Sequence, residues 1–368
     1  MITRLLIAFL CAYSLFLSYV IIRTATFSTR IKTKGGVMAA VSIIIPFKNE
    51  APNLSGLLAS LSKQDFSYPW EIILVNDNST DDYKGVLGPW NKRLGNKLRV
   101  IDSFFDPALG LTSKQQALDA GVSASSFDCI VFTDADMTFD KSWLSLMAAS
   151  LAQSNDFIVG RTATLSNKPA PFLAMQRFQL DFLFATAFSF HASGLESSCM
   201  GNNIAFRKYI YDEIGGQKGI GHSIVEDRAL YLAVKRKRHS IATTDPFDAM
   251  AFTLPCSTAG GFFHQMLRWS RGGFSFESSL LPIALLFSFQ NCMLALSLSG
   301  IFKGSVAILS YVNFCMTILF VFISFSKIKA RENMFLFPLF LLFLLCETIV
   351  FVASFITTRR VVWKNKKV

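Results

Sequence analysis

The chain has 368 residues; 52% of them are hydrophobic, 37 are Phe, and 17% are charged. A wholly globular chain rarely carries so much Phe, so the composition indicates a soluble domain joined to membrane-spanning helices. The formal net charge of +11 fits a nucleic acid or an anionic membrane surface as partner. Much of the basic excess flanks apolar segments and no nucleic-acid-binding motif occurs, which favours the membrane and argues against nucleic acid.

The first predicted element is an uncharged apolar segment at residues 5–22, which is long enough to cross a bilayer. No small-residue cleavage site separates it from the basic residues at positions 23–34, so we interpret it as a retained anchor rather than a signal peptide. The basic residues predict that the following domain is cytosolic. We therefore expect an N-terminal anchor at residues 1–24 in an inner or plasma membrane.

Residues 38–255 are predicted to form one soluble domain in which strands and helices alternate. The predicted strands are residues 41–45, 71–75, 98–101 and 129–133, and the predicted helices include 52–63 and 117–123. This order predicts an α/β fold with a mostly parallel sheet and ligands at its carboxyl edge. Neither a dinucleotide-binding nor a P-loop glycine pattern is present, and the glycines at 215–221 predict a flexible loop.

Two polar residues come early in this domain. Asp77 ends the second predicted strand, where a carboxylate can accept hydrogen bonds from a nucleobase or ribose. An Asx turn with Asn78 and Ser79 explains the same residue at least as well. Lys114 lies near a predicted helix start, where its cation can neutralise a phosphate, although a plain surface lysine is the commoner explanation.

Two carboxylates follow the fourth predicted strand. Asp134 and Asp136 are spaced i, i+2, so they point to the same side of an extended chain. At the carboxyl edge of a parallel sheet, such a pair can hold a divalent cation and its phosphate ligands. The pair alone is a weak signal because Asp is common where strands end.

Further along, Glu226 and Asp227 precede an apolar helical run. Favourable charge at a helix N-terminus explains them, and so does a role as a general base. Gln265, Arg268 and Trp269 then lie on one helical face by i, i+3, i+4 spacing. If this helix lies beside a membrane, anchoring of the helix at the membrane surface by its Trp and Arg side chains also explains this stripe.

Two segments are candidates for the membrane surface. Residues 256–279 carry the Gln265–Trp269 stripe just before an apolar block, and residues 172–190 are rich in Phe yet include Gln176 and Asp181. The second segment fits an ordinary amphipathic core helix equally well. Residues 280–368 form a C-terminal region with apolar blocks at 280–299, 305–325 and 334–356 and a basic tail. Three crossings would leave that tail outside, against the positive-inside tendency, unless one block is re-entrant or interfacial.

Taken in order, these motifs resemble the membrane-bound family 2 glycosyltransferases, which include hyaluronan, chitin and cellulose synthases and ceramide glucosyltransferase. The matching segments are residues 41–46 with 49–50, 75–79, 134–136, 201–203, 226–227 and 265–269. The resemblance covers most of residues 41–272, and the membrane blocks match only in general character. It implies a GT-A fold and an inverting displacement at the anomeric carbon of a nucleotide sugar.

By position, the resemblance assigns roles to individual residues. Asp77 would contact the nucleoside, and Asp134 and Asp136 would hold the sugar nucleotide and its Mg²⁺ or Mn²⁺, with Asp136 the direct ligand. Asp227 would be the general base. Two departures matter: Asn76 stands where an acid is common, and residues 109–116 match the family pattern around its lysine only loosely.

The remaining implied roles concern the diphosphate and the acceptor. Gln265, Arg268 and Trp269 would line both groups, and Lys114 would help to balance the charge of the departing diphosphate. Glu226 is the first alternative to its neighbour as the base.

The sequence is therefore expected to encode a membrane-anchored, metal-dependent inverting glycosyltransferase. It would move a sugar from a nucleotide-diphosphate sugar, expected to be UDP-linked, to a lipid or polysaccharide acceptor on the cytosolic face. One alternative is a processive polysaccharide synthase that threads its product through the membrane helices, for which four apolar blocks are few. Another is a non-catalytic membrane protein that binds nucleotide sugars, although such a protein would need no base.

Overall fold

The computed structural model describes residues 1–27, 39–153, 155–165, 170–244, 249–273, 280–336, 348–349, 362–363 and 366–367. The chain divides into two compact units. We call Thr29–Asn167 with Ser198–Pro255 the sheet unit, and Met1–Ser28, Lys168–Ser197 and Cys256–Val368 the helical unit. The domain boundaries expected from the sequence, 1–24, 38–255, 256–279 and 280–368, stay predictions.

The helices and strands of both units are numbered here in chain order. The α-helices are α1 (Ile2–Thr26), α2 (Ala51–Leu61), α3 (Tyr83–Leu94), α4 (Ser113–Ala124), α5 (Trp143–Ala152), α6 (Pro171–Ala192), α7 (Lys208–Ile214), α8 (Gly216–Ile220), α9 (Glu226–Arg236), α10 (Ala259–Gly273), α11 (Leu280–Leu298) and α12 (Ser305–Lys327). The strands are β1 (Val41–Phe47), β2 (Trp70–Asn76), β3 (Leu98–Asp102), β4 (Cys129–Phe132), β5 (Met137–Phe139), β6 (Phe157–Val159), β7 (Thr162–Thr164), β8 (Ile204–Arg207), β9 (Ile241–Thr243), β10 (Ala251–Thr253), β11 (Val362–Trp363) and β12 (Lys366–Lys367). Short 3₁₀ turns occupy Gly95–Lys97, Pro107–Leu109 and Arg331–Leu336.

The larger sheet of the sheet unit has the strand order β3-β2-β1-β4-β8-β6-β9. The pairs β2–β3, β1–β2, β1–β4 and β6–β9 are parallel, whereas β8 runs antiparallel to both of its neighbours. Strands β1, β2 and β4 are buried along their whole length, as their continuous apolar runs predict for strands covered on both faces. The predicted α/β fold with a mostly parallel sheet is confirmed.

A second sheet with the order β5-β10-β7 lies in the same unit. Trp143 of α5 is fully buried beside it and stacks on Phe139 of β5, with ring centroids 3.8 Å apart. The indole N–H of Trp143 donates to the side-chain oxygen of Asn203 at 2.9 Å. This buried bond fixes the chain just after Gly201, which matters for the site described below.

The glycine-rich stretch 215–221 is a short helix with tight turns, not a loop as predicted. Gly215 and Gly216 have φ values of +83° and +62°, in the left-handed region that glycine adopts without strain. A Cβ on Gly219 would lie 1.9 Å from the carbonyl oxygen of Ile214. The glycines therefore serve to bring α7 and α8 into close contact, which periodicity alone could not reveal.

Among the described residues, three helices of the helical unit are long and apolar enough to cross a membrane: Ile2–Thr26, Leu281–Leu298 and Ser305–Lys327. They correspond to the predicted segments 5–22, 280–299 and 305–325. The fourth predicted block, 334–356, and the basic tail lie almost entirely outside the described residues. Membrane association is consistent with these helices, and the orientation of the chain stays a prediction.

Polar side chains join the long helices of this unit. The amide of Asn313 on α12 donates to the carbonyl oxygen of Leu10 on α1 at 3.0 Å and to the side-chain oxygen of Gln290 on α11 at 3.2 Å. The hydroxyls of Tyr13 and Thr317 are 2.9 Å apart. We call this set the interhelical clasp, and it links α12 to α1 and to α11 by hydrogen bonds as well as by apolar packing.

Helix α6 packs against α1 and α12 within the same unit. Phe178, Phe184 and Phe188 are buried, and the hydroxyls of Ser189 and Ser324 are 2.9 Å apart. The polar residues that suggested an interfacial helix are also enclosed, since Gln176 exchanges hydrogen bonds with the backbone of Cys256. The position of α6 relative to a bilayer stays a prediction.

Candidate active site

A pocket opens where β1 and β4 end at the carboxyl edge of the large sheet. Four residues predicted from the sequence line it: Lys114 on α4, Asp134 after β4, and Glu226 and Asp227 at the start of α9. The apolar lining is Pro46, Leu118, Phe132 and Leu230. The pocket therefore combines three carboxylates and one ammonium group with a partly apolar wall, which is the composition expected of a polar ligand site.

Lys114 stands between two of these carboxylates. Its Nζ lies 2.9 Å from Asp134 and 2.7 Å from Glu226, and its side chain is 23% exposed. Burial alone would lower the pKa of Lys114, but the two facing carboxylates hold it well above its ordinary value. Lys114 is therefore a permanent cation that links the end of β4 to the start of α9.

A capping box fixes the helix that carries this lysine. The hydroxyl of Thr112 accepts the backbone N–H of Gln115 at 3.2 Å, and the side-chain oxygen of Gln115 accepts the N–H of Thr112 at 3.1 Å. This reciprocal pair satisfies two N–H groups at the start of α4. The first turn of α4 is thus held in place, and Lys114 is held with it.

Asp227 is positioned by backbone hydrogen bonds. Its Oδ2 accepts the N–H of Gly201 at 2.6 Å, and its Oδ1 accepts the N–H of Arg228 at 2.7 Å. Burial and the neighbouring Glu226 carboxylate raise the pKa of Asp227 from 3.8 to about 6, although Lys114 and the hydrogen bonds oppose the shift. A carboxylate with this pKa can accept a proton near neutral pH.

The segment 201–203 has a structural role that the sequence motif did not reveal. A Cβ on Gly201 would lie 2.5 Å from the Cβ of Asp227, so only glycine lets that carboxylate reach the backbone here. Asn202 accepts the hydroxyl hydrogen of Thr162 at 2.8 Å. Asn203 is fully buried and donates to two backbone carbonyl oxygens. The motif therefore positions the candidate base.

Asp134 and Asp136 flank the buried Ala135 in the turn between β4 and β5, so they do not lie on an extended chain as predicted. The Asp134 side chain is 34% exposed, and Asp136 lies 3.4 Å from the hydroxyl of Thr253. Within the described residues, no group of three or more His, Cys, Asp or Glu side chains is placed to hold a metal ion. Carboxylates are ligands that Mg²⁺ and Mn²⁺ prefer, and such ions commonly take their other ligands from substrate phosphates and water, so the metal site at Asp134 and Asp136 stays a prediction.

Asp77 follows β2 and is 4% exposed. Its N–H donates to the carbonyl oxygen of Phe47 at 2.8 Å, and its carboxylate lies 3.9 Å from the ammonium group of Lys48. Two non-glycine residues with positive φ stand beside it, Asn49 at +54° and Asn78 at +51°. Such residues concentrate at functional sites, so the geometry is compatible with the predicted nucleoside contact, which stays a prediction.

The turn after β2 is formed by Asn76 rather than by Asp77. The side-chain oxygen of Asn76 accepts the N–H of Ser79 at 2.9 Å, and its amide donates to Asp102 at 2.8 Å. The side chain that hydrogen-bonds across this turn is therefore Asn76, to the backbone three residues on, and not Asp77. The Asn76 side chain accepts one hydrogen bond through its oxygen and donates another through its nitrogen, which explains why Asn stands at this position.

Gln265, Arg268 and Trp269 belong to α10 of the helical unit, and all three are half-buried. The thiol of Cys256 lies 3.5 Å from the side-chain oxygen of Gln265. Phe262, one turn before Gln265 on α10, packs edge-on against Phe172 of α6, with ring centroids 5.7 Å apart. The predicted face of the helix exists, and its role at the diphosphate stays a prediction.

Gln217 of α8 is a pocket residue that the sequence analysis missed. It is fully buried and sits in the glycine-rich stretch that was predicted to be a loop. No local pattern marks a glutamine in such a stretch as a ligand-facing group. Only the packing of α8 against α4 brings it to the pocket.

Comparison with known proteins agrees with this architecture. An N-acetylglucosaminyltransferase of Sinorhizobium fredii is 24% identical over 264 residues, which is 69% of this chain and 62% of that protein. A 4,4'-diaponeurosporenoate glycosyltransferase of Staphylococcus aureus is 26% identical over 223 residues, 58% of this chain and 56% of that protein. The chain thus spans less than two thirds of the length of these relatives.

Among solved structures, a mannosyltransferase from Pyrobaculum calidifontis in complex with GDP-Man and Mn²⁺ aligns with a TM-score of 0.53 at 13% identity. The alignment covers 96% of this chain and 100% of that one. The similarity defines the class of the fold, a mixed α/β fold of the GT-A type. Residues 42–215 match the family Glycosyl transferase family 2, so this chain carries a family 2 glycosyltransferase domain, as its motifs predicted.

Proposed function

We propose that the protein is a membrane-anchored inverting glycosyltransferase. It moves one sugar from a nucleotide-diphosphate sugar, UDP-linked, to a hydroxyl of a lipid or polysaccharide acceptor at the cytosolic face. The family domain, the pocket of acids around Lys114, and three helices of membrane-spanning length support this proposal. The names of the two relatives agree with glycosyl transfer as the reaction class.

In this mechanism Asp227 acts as the general base. It removes the proton of the acceptor hydroxyl while that oxygen forms a bond to the anomeric carbon of the donor sugar. The bond from that carbon to the diphosphate oxygen breaks, and its electron pair leaves with the nucleoside diphosphate. One displacement inverts the anomeric centre, so no enzyme nucleophile is required.

Other residues of the site balance the negative charge of the leaving diphosphate. Asp136 and Asp134 would hold Mg²⁺ or Mn²⁺, and the bound cation would stabilise the charge that develops on the diphosphate. Lys114 adds a fixed positive charge between Asp134 and Glu226. We assign it a second task, which is to hold the Glu226 side chain in place beside the base.

The observation that carries the proposal is the environment of Asp227. The pKa of Asp227 is raised to about 6, and two backbone N–H groups hold its carboxylate in place. It lies beside Glu226, which Lys114 links to Asp134. A carboxylate in this environment is suited to proton transfer. A purely structural helix cap needs neither the raised pKa nor a pocket in front of it. The alternative of a non-catalytic nucleotide-sugar binder is therefore less well supported.

A hydrolysis screen tests the function. The full-length protein in detergent or nanodiscs is incubated with a panel of nucleotide sugars and Mn²⁺ or Mg²⁺, and release of the nucleoside diphosphate is measured. We expect one donor class to be cleaved slowly without an acceptor, and Asp227→Asn to abolish the release. Donor binding without release would favour the non-catalytic alternative, and polymer formation would favour a processive synthase.

A further inference from the structure

The loops that follow β1 and β2, residues 47–51 and 77–81, lie side by side, and we call them the loop clamp. The parallel pairing of β1 with β2 ends where the clamp begins. Within the clamp, the N–H of Asn49 donates to the hydroxyl oxygen of Ser79 at 3.0 Å. In the opposite direction, the side-chain oxygen of Asn49 accepts the N–H of Thr80 at 2.7 Å. One residue of the first loop therefore binds the second loop twice.

Two further hydrogen bonds flank this link. On the side of the strands, the N–H of Asp77 donates to the carbonyl oxygen of Phe47 at 2.8 Å. On the side of α2, the N–H of Ala51 donates to the carboxylate of Asp81 at 2.7 Å. The two loops are thus joined along their whole length, and Asn49 lies at the centre of the contact.

The backbone of Asn49 is in a conformation that few residues adopt. Its φ of +54° lies in the left-handed region, which Asn enters more readily than most other non-glycine residues. The orientation of its amide follows from Thr80, because a backbone N–H can only donate and so must face the oxygen Oδ1. A glycine would adopt this φ freely but would offer no oxygen. Asn49 therefore meets two requirements at once, the φ value and the acceptor.

The loop clamp carries two charged residues that face each other. Lys48 comes from the first loop and Asp77 from the second, and the ammonium group lies 3.9 Å from the carboxylate. Both side chains are largely buried. Their relative position depends on how the two loops are held together, which is the contact that Asn49 makes. Such a rare backbone conformation beside a candidate binding residue is typical of functional sites.

We propose that Asn49 is a positioning residue that acts through Asp77. By joining the two loops, it places the Asp77 carboxylate to accept a hydrogen bond from the nucleoside of the donor. This inference rests on the proposed glycosyltransferase function. Asn49 does not line the pocket at Asp227, so its loss should weaken nucleotide binding and leave the chemical step unchanged. A residue that only formed a turn would affect stability and not nucleotide affinity.

The test is a double-mutant cycle of Asn49→Gly and Asp77→Asn in the full-length protein in detergent or nanodiscs. Asn49→Gly keeps the positive φ and removes the side-chain oxygen, so it isolates the hydrogen bond from the backbone conformation. Asp77→Asn removes the charge and keeps the N–H that donates to Phe47. Calorimetry with Mn²⁺ measures the Kd of UDP and of GDP, and the tighter ligand is used for all variants. Hydrolysis of the matching nucleotide sugar gives kcat and KM.

Two further variants serve as controls. Asn155→Gly removes an amide that donates to the carbonyl oxygen of Ser150 at 2.8 Å, in the same unit but outside the clamp and the pocket. Asn49→Asp retains the oxygen that accepts the N–H of Thr80, so it is the conservative replacement. The thermal midpoint of every variant is measured alongside its Kd.

We expect Asn49→Gly to raise the Kd by about threefold to tenfold, the range for one lost hydrogen bond, and to raise KM in parallel with kcat within about twofold. Asn49→Asp should restore most of the affinity. In the Asp77→Asn background, Asn49→Gly should change the Kd by less than about twofold, because residues that act through one another are not additive. Asn155→Gly should keep the Kd of the unmodified protein. If Asn49→Gly fails to fold, Ser79→Ala removes the other half of the link and should shift the Kd in the same direction.

Several outcomes would overturn the inference. An unchanged Kd in Asn49→Gly would show that the link does not position the nucleotide, and an unchanged Kd in Asp77→Asn would show that Asp77 does not contact it. Fully additive losses in the cycle would mean that Asn49 acts independently of Asp77. If the unmodified protein neither binds UDP or GDP nor cleaves any nucleotide sugar, the glycosyltransferase proposal itself fails, so the two failures are distinguishable.

Discussion

Two adjacent acids, Glu226 and Asp227, have different partners at the same helix start. Glu226 lies 2.7 Å from the ammonium group of Lys114, whereas Asp227 is held by the N–H groups of Gly201 and Arg228. Burial and the neighbouring Glu226 carboxylate raise the pKa of Asp227, and the ammonium group of Lys114 opposes that shift. The sequence offered both residues as candidates for the base, and the contacts separate their roles.

The first prediction removes the base. Asp227→Asn preserves the shape of the side chain, so donor binding should persist while transfer falls by roughly 10²–10⁴-fold, the usual contribution of a general base. The Kd of UDP and the initial rate with a saturating acceptor are the two measurements. Glu226→Gln is the matched control; a larger loss in that variant than in Asp227→Asn would move the role of base to Glu226.

The second prediction concerns pH. Because the pKa of Asp227 is raised to about 6, the residue is mostly protonated below that value and mostly ionised above it. A base must be ionised, so kcat/KM should rise with pH through about 6, and at pH 5 roughly a tenth of the molecules should be active. A rate profile from pH 4.5 to 8 would show this limb. An unchanged limb in the residual activity of Asp227→Asn would assign it to another group.

The third prediction concerns the cation. Asp136→Asn replaces an anionic oxygen with a neutral amide, so UDP binding in Mn²⁺ should weaken while binding without Mn²⁺ stays the same. Calorimetry with and without the ion measures both. Asp140→Asn, at an exposed acid just beyond β5, is the control. Equal affinity of Asp136→Asn and the unmodified protein in Mn²⁺ would rule out Asp136 as a ligand.

At the scale of elements, the strands were the most predictable part of the fold. Runs such as residues 43–45 and 72–75 are apolar at successive positions, which predicts burial of both faces, and β1 and β2 are buried on both. Helix α8 was not predictable, because its glycines serve a close approach of two helices that local patterns do not encode. The sequence likewise could not predict which residues pair with Lys114, because these residues follow β4 and begin α9, far from Lys114 in the chain.

The fourth prediction tests how the chain before β8 supports α9. Gly201→Ala would place a Cβ 2.5 Å from the Cβ of Asp227, so the start of α9 must shift and transfer should fall by about tenfold or more. The thermal midpoint and the transfer rate are measured together. Gly56→Ala is the control, because its added Cβ meets only an ordinary 3.9 Å contact with Thr138 and Ala favours the helix α2. Full transfer by Gly201→Ala would show that the contact does not position the base.

On the scale of the whole molecule, the motifs read from the sequence are shared between two units. The acids and Lys114 belong to the sheet unit, and Gln265, Arg268 and Trp269 belong to the helical unit. Order along the chain was enough to predict the family, because motif order survives divergence. The order of the motifs could not predict that α6 packs against α1 and α12. Helix α6 lies inside the segment predicted to be soluble, and an amphipathic pattern does not show which element covers its apolar face.

The fifth prediction follows from this position of α6. Residues 39–255 expressed alone keep α6 but lack α1 and α12, so its buried residues Phe178, Phe184 and Phe188 would face solvent. This fragment should aggregate without detergent, and changing the three residues to Ser should increase the soluble fraction. Sedimentation measures both forms. A soluble, monomeric fragment with the three Phe residues intact would contradict the prediction.

The interhelical clasp also has a consequence for synthesis. Its partners on α1 and α12 are far apart in the chain; Tyr13 and Thr317 are separated by 304 positions. At a translation rate of about 5–20 residues per second, α1 is made on the order of 15–60 s before α12. If α1 enters the bilayer as proposed, Tyr13 lacks its final partner there during that interval. A foreign apolar helix in place of α1 would also remove Ser14, whose hydroxyl donates to the side-chain oxygen of Asn313 in the native pair of helices.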